Sequence, residues 1–554
     1  MKSVEEERRR TIPRTMLDQA ERFGSRPYIV FTHEPEAPFT YEEMATVGSA
    51  VGSRLSRDHG IELGTVGAIL LPNGRDFIAA WCGYHFAGIV DIPISYEFKK
   101  ATLLSALNTV CPKLIATDAD GFDRLMDGEV SPYLDRLELI VIAGPFDEQA
   151  VKERLRSIGC GVRVVGLPEL SEPGPAARAW ERADAMSLSS IRFTSGTTGF
   201  AKGIMFCHLH LLARSMASNR AMTYEGGDIL YSPLPLYHGL AGIMGAIGTM
   251  QIGATMISAP RFSASRYWSD ARDHKATLGH ILYSLVPMLM KQPESSSDRD
   301  HSVRYLNSAW PHRRFEERFG TTLLQIYAQG EVGVITYRRG GAEEGSRNVG
   351  RPLPEIELNI VDALDRPLPA GEAGEIVVRP RAPQNIMLGY YNNLPATTRA
   401  FRNLWHHTGD RGFLTPEGDL HFLGRIGDTI RRRGVNISSE QIDEEIIRHP
   451  DVLECGTIGV PSVLGEEDIH TCIVWRERPE DVDAAMQELM RFLMDRLPRQ
   501  HVPRYVEPVD ALPRTGNGKV RKVELSERAV YGRRFDREAG VWLDPGKVLE
   551  EKIR

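Results

Sequence analysis

Residues 193–203 read Phe-Thr-Ser-Gly-Thr-Thr-Gly-Phe-Ala-Lys-Gly, and no other stretch of the 554-residue chain constrains its fold as tightly. Thr194, Ser195, Thr197 and Thr198 surround Gly196 and Gly199, and Lys202 precedes Gly203. Glycines let successive backbone N–H groups turn toward one point, hydroxyls add donors and the ammonium adds charge. Such a segment suits a nucleotide triphosphate. The order Lys-Gly separates it from the common P-loop, which closes with Gly-Lys-Ser/Thr. Residues 187–193 read as a strand entering the loop and 204–213 as the element leaving it. The plain alternative is a Ser/Thr/Gly surface loop.

The rest of the chain supplies the frame. Short apolar runs at 66–71, 89–94, 114–117 and 139–142 alternate with helix-like stretches, the pattern of buried parallel strands in an α/β architecture. A Pro/Gly-rich connector, 171–175, precedes the loop. Between 356 and 380 the pattern changes to strands joined by turns, as in a small β-rich subdomain. Beyond 424–428 come a basic stretch, a helix-like segment at 439–449, strands near 454–460 and 470–474, and a helix at 483–496. About 100 residues suffice for a small domain with its own core. The sequence therefore predicts a large α/β unit over 1–425, a hinge at 426–428, a mobile α+β domain over 429–525 and a surface tail over 526–554.

Composition narrows the function classes. A net charge of −7 over 554 residues argues against a nucleic-acid surface. The six cysteines (Cys82, Cys111, Cys160, Cys207, Cys455, Cys472) include no CxxC pair and no zinc-finger spacing, so buried, reduced thiols in a cytoplasmic protein are expected. The charged N-terminus lacks an apolar core, and the longest apolar candidate, 240–257, is broken by Gly and Gln, so no membrane span is expected.

The 194–203 segment resembles the phosphate loop of the adenylate-forming superfamily: acyl-CoA ligases, peptide-synthetase adenylation domains and luciferases. Companion motifs follow in order across roughly residues 30–525. The resemblance implies doubly wound sheets in the large domain, with ATP, Mg²⁺ and coenzyme A as cofactors and a small-molecule carboxylic acid as substrate. Pro235–Gly239 resembles the acyl-pocket segment, with His238 and Gly239 against the substrate; a satisfied interior histidine is the alternative. The small residues of 240–248 predict a roomy site for a bulky acid. Tyr327–Glu331 is similar to the family's Tyr-Gly-x-Thr-Glu, in which the ring stacks near adenine, the Thr hydroxyl meets the α-phosphate and the Glu holds magnesium. Glu331 fits that role, Gly330 offers no hydroxyl, and Ala328 adds a methyl group. Ala309 lies in Asn307–Pro311, which departs from the usual Gly-Gly-Ala-Pro edge of the nucleotide site.

Trp405–Asp410 resembles the motif whose aspartate grips the ribose hydroxyls, with an Asx-type turn as alternative. Gly424–Asp428 resembles the interdomain hinge, with Arg425 near the ribose. Arg431–Ser438, including Gly434, resembles the pantetheine-tunnel strand; its arginines would meet coenzyme A phosphates or form a solvated basic edge. Pro513–Lys519 resembles the loop that delivers the adenylation lysine, Lys519, which the resemblance makes catalytic together with Glu331 and Thr194. Two segments, 307–320 and 431–439, look loosely like carnitine/crotonobetaine ligases. The implied function is acyl-CoA ligation through an acyl-adenylate. The alternatives are a non-adenylating thioester-forming enzyme served by a partner, and an adenylation enzyme loading a separate carrier protein.

Overall fold

A computed structural model describes residues 4–175, 177–193, 202–308, 311–340, 346–381, 385–426, 429–432, 435–462, 467–497, 499, 501–514, 520–528 and 532–544. Thr194, Ser195, Gly196, Thr197, Thr198, Gly199, Ala309, Gly434 and Lys519 lie outside the described residues.

The expected parallel strands form. Val66–Leu70, Val90–Pro93, Leu114–Thr117 and Leu139–Ile142 pair in parallel within an eight-stranded sheet and are buried almost throughout. Covering both faces of such a sheet is what turns its strands into continuous apolar runs. Leu188–Phe193 runs parallel to Val90–Pro93, and Gly203–Cys207 returns antiparallel to it, with Phe193 opposite Gly203. The phosphate-loop segment therefore joins two paired strands. The element leaving it is this strand followed by helix His208–Met222, not one continuous unit over 204–213.

A nine-stranded sheet carries Thr322–Gln329 and Gly333–Arg339 toward one edge. Helix Arg75–Ala87 is buried from Phe77 to Ala87, as an all-round apolar helix must be. The predicted β-rich subdomain is a five-stranded sheet: Ile356–Val361 pairs with Gly374–Pro380, which pairs with Trp405–Leu414, and Leu420–Arg425 joins the latter.

Toward the C-terminus, Val452–Pro461, Glu467–Trp475 and Tyr505–Pro508 form a sheet packed by helices Ser439–Ile447 and Val482–Arg496. Here the predicted tail is corrected. Arg534–Asp536 pairs with Tyr505–Pro508, and Val541–Leu543 pairs with Arg534–Asp536, so this segment is the outer edge of the sheet and not an unpaired extension. Its Glu538 also answers Arg432, which is only 2% exposed and ion-paired to Asp468 at 3.2 Å and to Glu538 at 3.0 Å. Arg432 is thus a buried structural cation, not a phosphate contact or a solvated edge. Removing one partner of such a buried pair costs about 3–5 kcal/mol. All six cysteines are free; five are buried as expected, whereas Cys111 is exposed at the end of helix Lys100–Val110.

Candidate active site

Asp410 is held where two sheets meet. It stands opposite Arg425 on the neighbouring antiparallel strand, and Arg425 Nε lies 3.3 Å from Asp410 Oδ1. From the nine-stranded sheet, Tyr327 and Gln329 share one face of their strand while Ala328 points to solvent, the period-two alternation of a strand. The Tyr327 hydroxyl donates to Asp410 Oδ2 at 2.6 Å, and Gln329 Nε2 donates to the same oxygen at 2.6 Å and to the Thr408 carbonyl at 2.9 Å. With both Gln329 amide hydrogens used, its Oε1 accepts from His406 Nε2 at 3.2 Å. Burial pushes the His406 imidazole down to about 4, so the ring is neutral near pH 7. Burial raises Asp410 above the ordinary carboxylate range, against the opposing pull of Arg425 and the two donors. The Tyr327 ring packs 5.4 Å from the Phe422 ring.

A second cluster gathers at the exit of the phosphate loop. Gly389–Tyr390 pairs with Gly203–Cys207, which places Tyr390 beside Lys202. Lys202 Nζ sits 5.0 Å from the centre of the Tyr390 ring, and the Tyr390 hydroxyl donates to Glu331 Oε1 at 2.8 Å. One tyrosine therefore links the loop's cation to the carboxylate expected to hold magnesium. Met387 N donates to the Glu331 carbonyl, and buried Arg214 donates to the Gly330 carbonyl, both at 2.8 Å. Burial lowers the Arg214 guanidinium to about 10, a value at which it stays charged near pH 7. Gly330 itself is exposed.

Beneath the loop's entry strand lies a buried charge pair. Arg192 Nη2 is 3.1 Å from Asp91 Oδ2, and His85 Nε2 is 3.3 Å from Asp91 Oδ1. Burial pushes Asp91 up to about 6 despite Arg192.

On the acyl side, His238 is half-buried and its Nδ1 accepts from Leu240 N at 3.3 Å. Residues Leu240–Ile247 form a π-helix. Such turns are rare and recur at functional sites. The small residues here do not open the volume predicted from sequence. A Cβ on Gly242 would lie 2.2 Å from the Leu236 carbonyl oxygen, one on Gly248 2.7 Å from Asn219 Oδ1, and one on Gly245 3.2 Å from Met256 Cε. These glycines let the backbone pack closely; a Cβ on Gly239, by contrast, meets no atom of the described residues within 4 Å.

Sequence reasoning placed Asp410, Arg425 and Tyr327 in one site, and Lys202 and Glu331 in one site. It gave no role to Gln329, His406, Tyr390 or Arg214. The first two sat inside quoted motifs, so a search for donors to Asp410 could have found them. Nothing in the sequence marked Tyr390 or Arg214.

The family model for AMP-binding enzymes matches residues 16–391, and the model for the C-terminal domain of AMP-binding enzymes matches 441–519. Among curated proteins, the chain is 27% identical over 536 residues to a sulfoacetate–CoA ligase of Cupriavidus necator, covering 94% of this chain and 98% of that protein. It is 28% identical over 479 residues to a crotonobetaine/carnitine–CoA ligase of Escherichia coli O139:H28, covering 84% and 89%. In fold it is similar to the anthranilate CoA ligase AuaEII solved with anthranoyl-AMP, with a TM-score of 0.82 and 19% identity over 96% of this chain and 99% of that one.

Proposed function

We propose a function from one premise: the chain belongs to the AMP-binding enzyme family, whose model spans residues 16–391. It is an ATP-dependent, AMP-forming acyl-CoA ligase. A carboxylate is a poor acyl donor because oxide is a poor leaving group. Attack of one carboxylate oxygen on the α-phosphorus of ATP forms a C–O–P linkage and releases pyrophosphate. A thiol then attacks the acyl carbon, the C–S bond forms, the C–O bond to AMP breaks and AMP leaves with the electron pair. Much of the protein's contribution is charge placement and orientation.

In this reading Asp410 and Arg425 hold the ribose, Lys202 with the 194–199 segment meets the phosphates, and His238 borders the acyl group. Thr194 and Lys519 act on the transferring group. Glu331 fits a hard divalent cation, since it offers a carboxylate oriented by Tyr390. Bound Mg²⁺ would neutralise phosphate charge there. Residues 429–525 turn about 426–428 between the two half-reactions, a hinge transition. Support for the turn comes from Arg425, which ends its strand directly before 426.

The observation that carries the reading is the pair of clusters at Asp410 and Tyr390, linked along residues 327–331. The test is pyrophosphate release without thiol over an acid panel that includes sulfoacetate, carnitine, crotonobetaine and anthranilate. Acid-dependent release followed by CoA-dependent AMP formation supports it; neither with any acid or supplied adenylate refutes it. A second reading rests on Gly330, which has no hydroxyl for the α-phosphate: the enzyme passes a ready-made adenylate from a partner to CoA. Product only from synthetic acyl-adenylate plus CoA would favour it. The remaining alternative, loading of a carrier protein, predicts product on a carrier thiol and none on CoA.

A further inference from the structure

His470 and Cys472 stand two residues apart on strand Glu467–Trp475 and so share one of its faces. Strand Tyr505–Pro508 runs parallel beside it with Glu507 in register with Cys472, which brings the carboxylate to both. His470 Nε2 lies 3.4 Å from Glu507 Oε2 and 3.8 Å from Cys472 Sγ, and one ligand atom from each residue lies within 4.8 Å of the other two. His470 and Cys472 are 0% exposed and Glu507 is 2% exposed. The face is apolar around them, since Cys472 packs with Val474, Tyr505, Val509, Leu512 and Leu525. Gly532 backs the carboxylate: a Cβ there would lie 2.0 Å from Glu507 Oε1, so a side chain at 532 would push the carboxylate from its place. Burial lowers the His470 imidazole below its ordinary range, which leaves it in the neutral form that ligates metals.

We propose that His470 Nε2, Cys472 Sγ and Glu507 Oε2 hold one zinc ion, which clips these two neighbouring strands of the C-terminal sheet together and takes a water as its fourth ligand. The spacing selects the metal. Bonds of about 2.0 Å to N and O and 2.3 Å to S, set tetrahedrally, separate N from O by about 3.3 Å and N from S by about 3.6 Å, close to the distances found. An octahedral magnesium would draw neighbouring oxygens and nitrogens to about 2.9 Å, and such a hard ion does not favour sulfur. On binding, the thiol proton passes to solvent, and the thiolate and carboxylate cancel the charge of the divalent ion. The rival is a metal-free network in which His470 and the buried Arg534, whose charge Glu507 favours, balance the carboxylate. The zinc site does not depend on the ligase reading.

The test uses the full chain, expressed with zinc or with cobalt as the supplied transition metal and purified without added metal. Elemental analysis should find about one equivalent per chain, and the cobalt form should show thiolate-to-metal charge-transfer absorption with the visible bands of a tetrahedral ion. Cys472→Ser should lose the thiolate absorption, and His470→Gln and Glu507→Gln should weaken metal binding ~10-fold or more in competition with a chelator. Cys111→Ser, which alters the exposed thiol, should change neither. After EDTA, with metal loss verified, the melting temperature should fall by ~3 °C or more. Should the ligand variants not fold, X-ray absorption on zinc-loaded Cys111→Ser answers the same question: one sulfur at about 2.3 Å beside nitrogen and oxygen near 2.0 Å is expected. A natural protein that carries neither metal after such growth would overturn the proposal in favour of the metal-free network. So would a coordination shell without sulfur, thiolate absorption that survives Cys472→Ser, or a melting temperature unmoved by metal loss.

Discussion

Substituting Gly330→Thr restores the hydroxyl that this position carries in the family pattern. Its cost can be worked from the surroundings. Among the described residues only one atom lies within 4 Å of a Cβ built on Gly330, the Cδ1 of Ile204 at 2.9 Å, and the residue has none of the positive φ angles that would strain a side chain. Ile204 Cδ1 is the far end of a flexible chain, so a rotamer change costing roughly 1 kcal/mol admits the threonine. The Gly330 carbonyl stays bonded to Arg214, so the backbone keeps its path. Against this stands a donor aimed at charge that develops in the transition state, worth ~3 kcal/mol or about a hundredfold in rate. The expected outcome is faster acid-dependent pyrophosphate release by one to two orders of magnitude, with Tm lowered by no more than a few degrees. Ile204→Val removes the clashing methyl at about 0.5–1.5 kcal/mol, and the pair should be more stable than the two single costs predict. Unchanged pyrophosphate release in both Gly330→Thr and the double variant, with ATP binding intact, would refute the reasoning. The absent hydroxyl would then not be what limits adenylation.

Other expectations are narrower. Tyr390→Phe removes the hydroxyl that orients Glu331 and should raise the Mg²⁺ concentration for half-maximal pyrophosphate release ~10-fold; an unchanged Mg²⁺ titration would refute it. Gly242→Ala drives a methyl into the Leu236 carbonyl and should cost about 1–3 kcal/mol in urea denaturation, whereas Gly239→Ala, which meets no atom of the described residues, should cost much less; equal effects would show that the π-helix relaxes freely. Burial lowers both His208 and His280 to about 3 from an unfolded value near 6.5, so the unfolded chain binds more protons and stability falls as pH drops below 6.5. Together they remove roughly 3 kcal/mol between pH 6.5 and 5. Asp91, raised to about 6, opposes this by gaining stability as pH falls from 6 toward 4. A urea midpoint that did not fall from pH 6.5 to 5 would contradict the balance.

Which parts of this molecule were legible in the sequence follows from the range of the interactions involved. The parallel strands could be read because burial on both faces imposes a local run of apolar residues, as at Leu114–Thr117 and Leu139–Ile142. Asp410 and Arg425 could be read because each sits in a contiguous motif, although what joins them is strand register across a gap of 15 residues. The misreadings share the opposite property. Arg432 stood in a basic run, a pattern that belongs to solvated faces, and partners 36 and 106 residues away, Asp468 and Glu538, make it a buried cation. The second partner shows why 534–543 passed for a tail: strands of three residues give too little period to detect, and their stability comes from the sheet they join. The glycines of 242–248 were read as empty volume, but composition does not say whether a missing side chain is replaced by a ligand or by a carbonyl. Here the Leu236 oxygen takes the space. Tyr390 follows the same logic. Its neighbours Lys202 and Glu331 lie 188 and 59 residues away and converge on it only because Gly389–Tyr390 completes the edge of the sheet from which the phosphate loop emerges. A site assembled by edge pairing is therefore visible in sequence only where it coincides with a motif, and the residues that orient its charges are the ones that motif reading leaves out.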